Sequence, residues 1–303
     1  MGMMVGNRVK VFSIAVVALV LGVAVLRGAL AQEPQVLPPL PMPRPAVPKE
    51  FRLEIDEGVV MDFVLIPAGT FIMGSPPNET GRGMDEGPRT RVIITRPFYM
   101  SRTEVTQLQY EMVMEDNPSE EEGGNYPVNS VRWAEAVEFC RRLTERERRA
   151  RRLREDEEFR LPSEAEWERA CRAGTDTRFS FGGVDAELAQ HGWYQENSAE
   201  KPHVVGLMKP NPWGLFDMHG NVWEWCQDWY EPRYRGGEVK DPSGPETGQT
   251  KVMRGGSWAD HATRCRSAAR FSATPEFRSP MVGFRVVRTV GEPAVAIPLD
   301  AAD

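Results

Sequence analysis

The chain has 303 residues, of which 41% are hydrophobic and 9% aromatic, enough apolar material for one substantial core or two small ones. Its formal net charge of -7 argues against nucleic acid and anionic membrane surfaces as partners. The four cysteines, Cys140, Cys171, Cys226 and Cys265, are too few and too far apart for a disulfide-built mini-domain or a paired-cysteine zinc site, and four singly placed histidines argue against a His-rich metal centre.

Residues 1–31 read as a secretory signal peptide. Arg8 and Lys10 give a positive start, Val11 to Leu26 an apolar run, and Ala29-Leu30-Ala31 a small-x-small cleavage site before Gln32. The run is short for the roughly 20 residues of a spanning helix. The expectation is an exported, periplasmic or extracellular protein with no membrane segment after cleavage. No Cys follows the run to take a lipid. Residues 32–50 are rich in proline and form an extended linker.

The folded domain is expected over 51–290, with a flexible tail over 291–303. Met61 to Ile66 and Thr70 to Met73 read as two short strands joined by a tight turn at Pro67-Ala68-Gly69. Gly74 to Arg89 reads as a loop, and Arg91 to Thr95 and Phe98 to Met100 as strands. Thr103 is placed to cap a helix running to about Met114. Trp133, Ala136, Val137, Cys140 and Leu143 recur at helical spacing, which makes Cys140 a core thiol; the arginine- and acid-rich continuation is a solvated face. Ser163 and Glu166 form a capping box that opens a helix over Glu164 to Ala173, stopped by Gly174.

Beyond Thr175 the periodicity fades. Asn211 to Tyr230 holds four of the eight tryptophans around a Gly220-Asn221 turn, and Glu224, set between bulky rings, needs a partner. Strands return at Lys251 to Arg254, around Arg264 to Arg270, and at Gly283 to Arg288. The fold class is α+β.

Six segments taken in order resemble one family: FVLIPAGTFIMGS (63–75), FYMSRTEVT (98–106), PVNSVRWAEAVEFC (127–140), RLPSEAEWERACRAG (160–174), GLFDMHGNVWEW (214–225), and the closing RGGSW, AARFSATP and VGFRVVR. The chain is similar to the sulfatase-modifying-factor domain, whose named member is the formylglycine-generating enzyme. The resemblance implies an irregular, loop-rich α+β fold related to the C-type lectin topology, and bound calcium. For active members it also implies a copper-dependent oxidase that uses O2 to turn a sulfatase cysteine into formylglycine.

By that resemblance the calcium ligands are the carboxylates of Asp217 and Glu224 and the carbonyls of Gly220 and Val222, oxygens that suit a hard cation. Read from the residues alone, Asp217 caps the turn and Glu224 pairs with an arginine such as Arg254 or Arg270. A second family calcium site near Trp193 to Asn197 is not expected, because ENSAEKPHVVG lacks the matching acid.

Active members carry two cysteines five positions apart after RGGS, and soft thiolates select Cu(I). Here RGGSWADHATRCRSAAR has one thiol. Counted forward from Ser257, Asp260 takes the first thiol's place and Cys265 the second's, with His261 matching a family histidine. Counted backward from Ala268-Ala269-Arg270, Cys265 falls two residues short of a structural cysteine. A thiol is missing under either count, so copper is not expected. Cys265 remains open between a copper-binding thiol, half of a bridge to Cys171 suggested by the family, and a buried free thiol. The expectation is a binding or accessory module, with a protein or peptide ligand on the face formed by 175–215 and 255–282. The alternative is an active formylglycine oxidase using Cys265, Ser257 and His261.

Overall fold

The computed structural model of the chain describes residues 48–291. The expected export signal, most of the linker and nearly all of the tail lie outside the described residues. Among the described residues no helix is long and apolar enough to cross a membrane.

Strand β1 (Glu50–Asp56) adds a strand to the expected set and forms a hairpin with β2 (Val59–Ile66). Their alternation buries Leu53, Ile55, Met61 and Phe63. With β5 (Phe98–Ser101), β12 (Val287–Thr289) and β6 (Phe159–Arg160) they make a five-stranded sheet of order β1-β2-β5-β12-β6. A three-stranded sheet joins β3 (Gly69–Met73), β4 (Thr90–Ile94) and β8 (Glu238–Lys240). A four-stranded sheet of order β10-β9-β7-β11 contains β7 (Trp223–Trp229), β9 (Lys251–Arg254), β10 (Arg270–Ala273) and β11 (Val282–Gly283).

Three expectations are corrected. The strands on either side of Pro67-Ala68-Gly69 do not pair: β2 and β3 enter different sheets. The Arg169 guanidinium takes the Pro67 carbonyl at 2.7 and 2.9 Å and the Ala68 carbonyl at 3.0 Å, so the turn's acceptors are bound away from a hairpin. The first helix, α1 (Gln107–Met114), is capped by Thr106 and not Thr103, with Gln109 closing the box. Residue 105 is held by backbone pairing, its N–H donating to the Phe284 carbonyl, so the helix cannot start earlier. The strand expected around 264–270 begins only at Arg270; a 3-10 turn covers Ala262–Arg264. The Arg254 guanidinium collects the carbonyls of Ser267, Ala268 and Ala269, which wraps that segment around a side chain and keeps it out of a sheet.

The other two helices stand close to their expected places. Helix α2 (Trp133–Arg149) buries Ala136, Phe139, Cys140 and Leu143. Helix α3 (Glu164–Arg172) carries the Ser163–Glu166 capping box, with Ala173 in the left-handed region at its end. Its acids also make buried ion pairs: Glu164 with Arg270 at 2.6 Å, and Glu168 with Arg172 at 2.8 Å and with Arg254. Each charge would be costly to bury singly and is tolerated because it is paired. The indole of Trp167, on the same helix, reaches across to β7, which ties the helix to the site described next.

Candidate functional site

The chain turns sharply before β7. Gly220 has φ +120°, and a Cβ there would stand 2.1 Å from the Trp193 carbonyl, so only glycine fits. Asn221 follows at φ +61°; its N–H donates to the Trp193 carbonyl at 2.7 Å and its side-chain oxygen accepts the His203 N–H at 3.0 Å. The turn thus clamps the 193–203 loop against the four-stranded sheet.

Glu224, fully buried on β7, is satisfied by neither Arg254 nor Arg270. Its partner is Arg285, whose Nε and Nη2 donate to Oε2 and Oε1 at 2.6 and 2.7 Å, and the Trp167 indole donates to Oε2 at 2.6 Å. Arg285 also reaches the Phe216 carbonyl at 3.0 Å and the Ser101 carbonyl at 3.2 Å. Asp217, at φ +57°, accepts the Gly206 N–H on Oδ2 at 2.6 Å, while its buried Oδ1 meets no N–H or hydroxyl donor and its carboxyl lies within hydrogen-bonding reach of Glu104. Beside it stands Glu104, fully buried, with neither carboxylate oxygen bonded. Burial, then the charges of Asp217 and Glu224, push the Glu104 carboxyl well above the usual range. Burial also pushes Asp217 up.

Of the expected calcium ligands, Asp217, Gly220, Val222 and Glu224 therefore share one turn, but both Glu224 oxygens are already committed to Arg285 and Trp167. The free buried oxygens are those of Glu104 and Oδ1 of Asp217. Glu104 escapes sequence reasoning because it lies 113 positions before Asp217, with only its place inside TEVT as a signal. Among the described residues no group of three or more His, Cys, Asp or Glu side chains is arranged to hold a metal ion.

The second half of the site is the 255–265 loop. Ser257 and Asp260 come together: the Ser257 hydroxyl donates to Asp260 Oδ2 at 2.5 Å, and the Trp223 indole donates to the same oxygen at 2.8 Å. Cys265 is fully buried beneath Gly256, where a Cβ would meet its sulfur at 2.7 Å. Burial, reinforced by the Asp260 charge, pushes its thiol far above the ordinary value. His261 is exposed.

All four cysteines are free and buried, so the bridge between Cys171 and Cys265 is not formed. The His219 imidazole explains the separation. Its Nδ1 donates to the Cys265 carbonyl at 2.8 Å, while the Cys171 sulfur lies 3.8 Å from its Nε2. Nε2 accepts from the Ser180 hydroxyl at 2.9 Å, and burial lowers the ring's pKa to about 4, so His219 is neutral. Besides His219, the Cys171 thiol has Ser267 for a neighbour, two residues beyond Cys265. That agrees with the backward count from Ala268-Ala269-Arg270.

The sulfatase-modifying factor enzyme 1-like domain family matches residues 54–290. The chain is 37% identical over 180 residues to a formylglycine-generating enzyme of Streptomyces coelicolor, covering 53% of this chain and 52% of that enzyme. It therefore spans about half the length of that relative. It is 29% identical over 239 residues to the chaperone protein LppX of Paenibacillus barcinonensis, covering 63% of this chain and 80% of LppX. Among solved structures, Treponema denticola variable protein 1 superposes with a TM-score of 0.71 at 30% identity, covering 80% of this chain and 99% of that one.

Proposed function

The chain belongs to the sulfatase-modifying factor enzyme 1-like domain family, and from that premise we propose that it is an exported binding or accessory module and not a formylglycine oxidase. The observation that carries the proposal is the single thiol of RGGSWADHATRCRSAAR, where the resemblance implies two for copper. Counted forward from Ser257, Asp260 takes the place of the first, its carboxylate tied to Ser257 and Trp223. Cys265, the thiol that remains, is fully buried, and burial with the Asp260 charge pushes its pKa up, away from the thiolate. The thiolate, not the thiol, is the metal ligand and nucleophile, and a carboxylate is a hard substitute for a soft sulfur. Relatives are named as a formylglycine-generating enzyme and as a chaperone, so membership of the family leaves room for a role other than the oxidase; a shared fold does not carry its chemistry with it.

The working surface is the loop-rich face of 175–215 and 255–282, where a protein or peptide ligand would meet Asp260 and the half-buried Trp258. Calcium, if bound, would be held at the Asp217 turn. Oδ1 of Asp217 and the carboxylate of Glu104 are buried oxygens without donors, and a divalent cation would neutralise them. The Gly220 and Val222 carbonyls are the neutral ligands of the same turn. Glu224 serves there as the counter-ion of Arg285. Calcium supplies charge and rigidity, not chemistry.

The test is incubation of the purified mature protein with copper, O2 and a peptide carrying Cys-x-Pro-x-Arg. No aldehyde is expected, and metal analysis of the same sample gives calcium without copper. Aldehyde formation, or stoichiometric copper lost in Cys265→Ser, refutes the proposal.

A further inference from the structure

A cavity of about 350 Å³ lies beside the start of α3, away from the Asp217 turn and the 255–265 loop. Its walls include Met73, Val92, Tyr234 and Gly244, and two buried acids, Glu164 and Asp228. Asp228 is 4% exposed. Its Oδ2 accepts the Glu164 N–H at 2.9 Å and so satisfies one of the free donors of the first helical turn. Its Oδ1 accepts no hydrogen bond from the described residues.

No cation answers this carboxyl. Arg270, also on the cavity wall, is taken by Glu164 at 2.6 and 2.9 Å. The Lys251 ammonium is near enough to be felt, but it donates to the Gln227 carbonyl at 2.8 Å and is sandwiched 3.9 and 3.8 Å from the rings of Trp133 and Trp229. On the rim stand Arg233, Arg235 and Lys240 with Glu231 and Asp241, and among the described residues no ion pair joins any of these cations to Asp228. Burial and the neighbouring Glu164 charge push Asp228 up to about 8, the response of an acid that lacks a counter-ion. The loop roofing the cavity is fitted to it. Gly244, at φ +73°, is close enough that a Cβ would stand 3.0 Å from the Asp228 Cβ and 3.4 Å from Oδ1.

We propose that this cavity is a binding site for a primary ammonium group on a short aliphatic chain. The ammonium donates to Asp228 Oδ1 and supplies the missing positive charge, and the alkyl chain lies on Met73, Val92 and the Tyr234 ring. The volume suits a small molecule. The wall mixes apolar side chains with charged ones, and of its two buried acids Glu164 is already paired with Arg270 whereas Asp228 is not. A charged donor on a desolvated carboxylate is the stronger class of hydrogen bond.

The test uses n-propylammonium and its neutral isostere n-propanol in titration calorimetry on the mature chain. Propylammonium binds saturably and propanol does not. Asp228→Asn keeps an oxygen for the Glu164 N–H and weakens propylammonium binding by about 10- to 100-fold, the worth of one charge-assisted bond. Should Asp228→Asn unfold the chain, the carboxyl carbon of Asp228 in the unaltered protein is followed by NMR; its resonance moves with propylammonium and not with propanol. Equal binding of the two compounds, no binding of either, or an unmoved Asp228 resonance overturns the proposal.

Discussion

Replacing Glu224 with glutamine keeps the shape of the side chain and an acceptor for Trp167, but removes the charge that answers a fully buried guanidinium. Two bonds from Arg285 at 2.6 and 2.7 Å weaken together. Breaking a buried pair by removing one charge typically costs about 3–5 kcal/mol. Arg285 keeps the Phe216 and Ser101 carbonyls, and the nearby Glu104 and Asp217 carboxylates offset part of the loss, so the lower end, about 3 kcal/mol, is expected. For a domain of this size that lowers the melting temperature by roughly 6–12 °C. The assay is urea unfolding of parent and variant in EDTA, so that any cation on Asp217 does not contribute. Glu224→Gln combined with Arg285→Met recovers much of the loss, because no unanswered charge remains, and the double-mutant cycle measures the coupling. A variant within 1 kcal/mol of the parent in EDTA refutes the assignment of Glu224 as the counter-ion of Arg285.

Three further outcomes are expected. Gly256→Ala forces a Cβ to 2.7 Å from the Cys265 sulfur and 2.9 Å from its Cα at φ +79°; it destabilises by about 1–3 kcal/mol or more, and unchanged urea unfolding counts against the packing of the 255–265 loop. Ser267→Cys places a second thiol beside Cys171, so mild oxidation raises stability by about 2–4 kcal/mol and leaves three of the five thiols reactive under denaturing conditions; all five still reacting counts against the placement. His219 has a folded pKa lowered from 6.5 to about 4, so the unfolded chain binds more protons in that window. Its contribution is fully present above 6.5 and is lost as pH falls towards 4, and His219→Gln flattens that slope in unfolding measured against pH.

Much of the local structure was legible in the chain because its causes lie within one helical turn or one strand. Ser163 and Glu166 are three residues apart, so their reciprocal caps on α3 can be read without knowing what the helix packs on. The same holds for the apolar spacing of α2 and for Gly220, whose turn needs a residue without a side chain. The order of motifs was enough to place the family, and the single thiol after Ser257 was enough to question the chemistry.

Pairing over long separations was decided only by the tertiary structure. Glu224 had plausible partners in Arg254 and Arg270, but those guanidiniums serve the acids of α3, and Arg285, 61 positions away, fills the space beside β7. Glu104 reads as an ordinary polar residue before a helix, and becomes a buried, unanswered acid only because the chain returns at Asp217. Cys171 and Cys265 are near in the fold, yet the His219 ring stands between them and Ser267 takes the position a bridge would need. The physical reason is the same in each case. Hydrogen-bond caps and side-chain periodicity are set by neighbours in sequence, whereas the partner of a buried charge or thiol is set by whichever residue the packed core brings within about 3–4 Å.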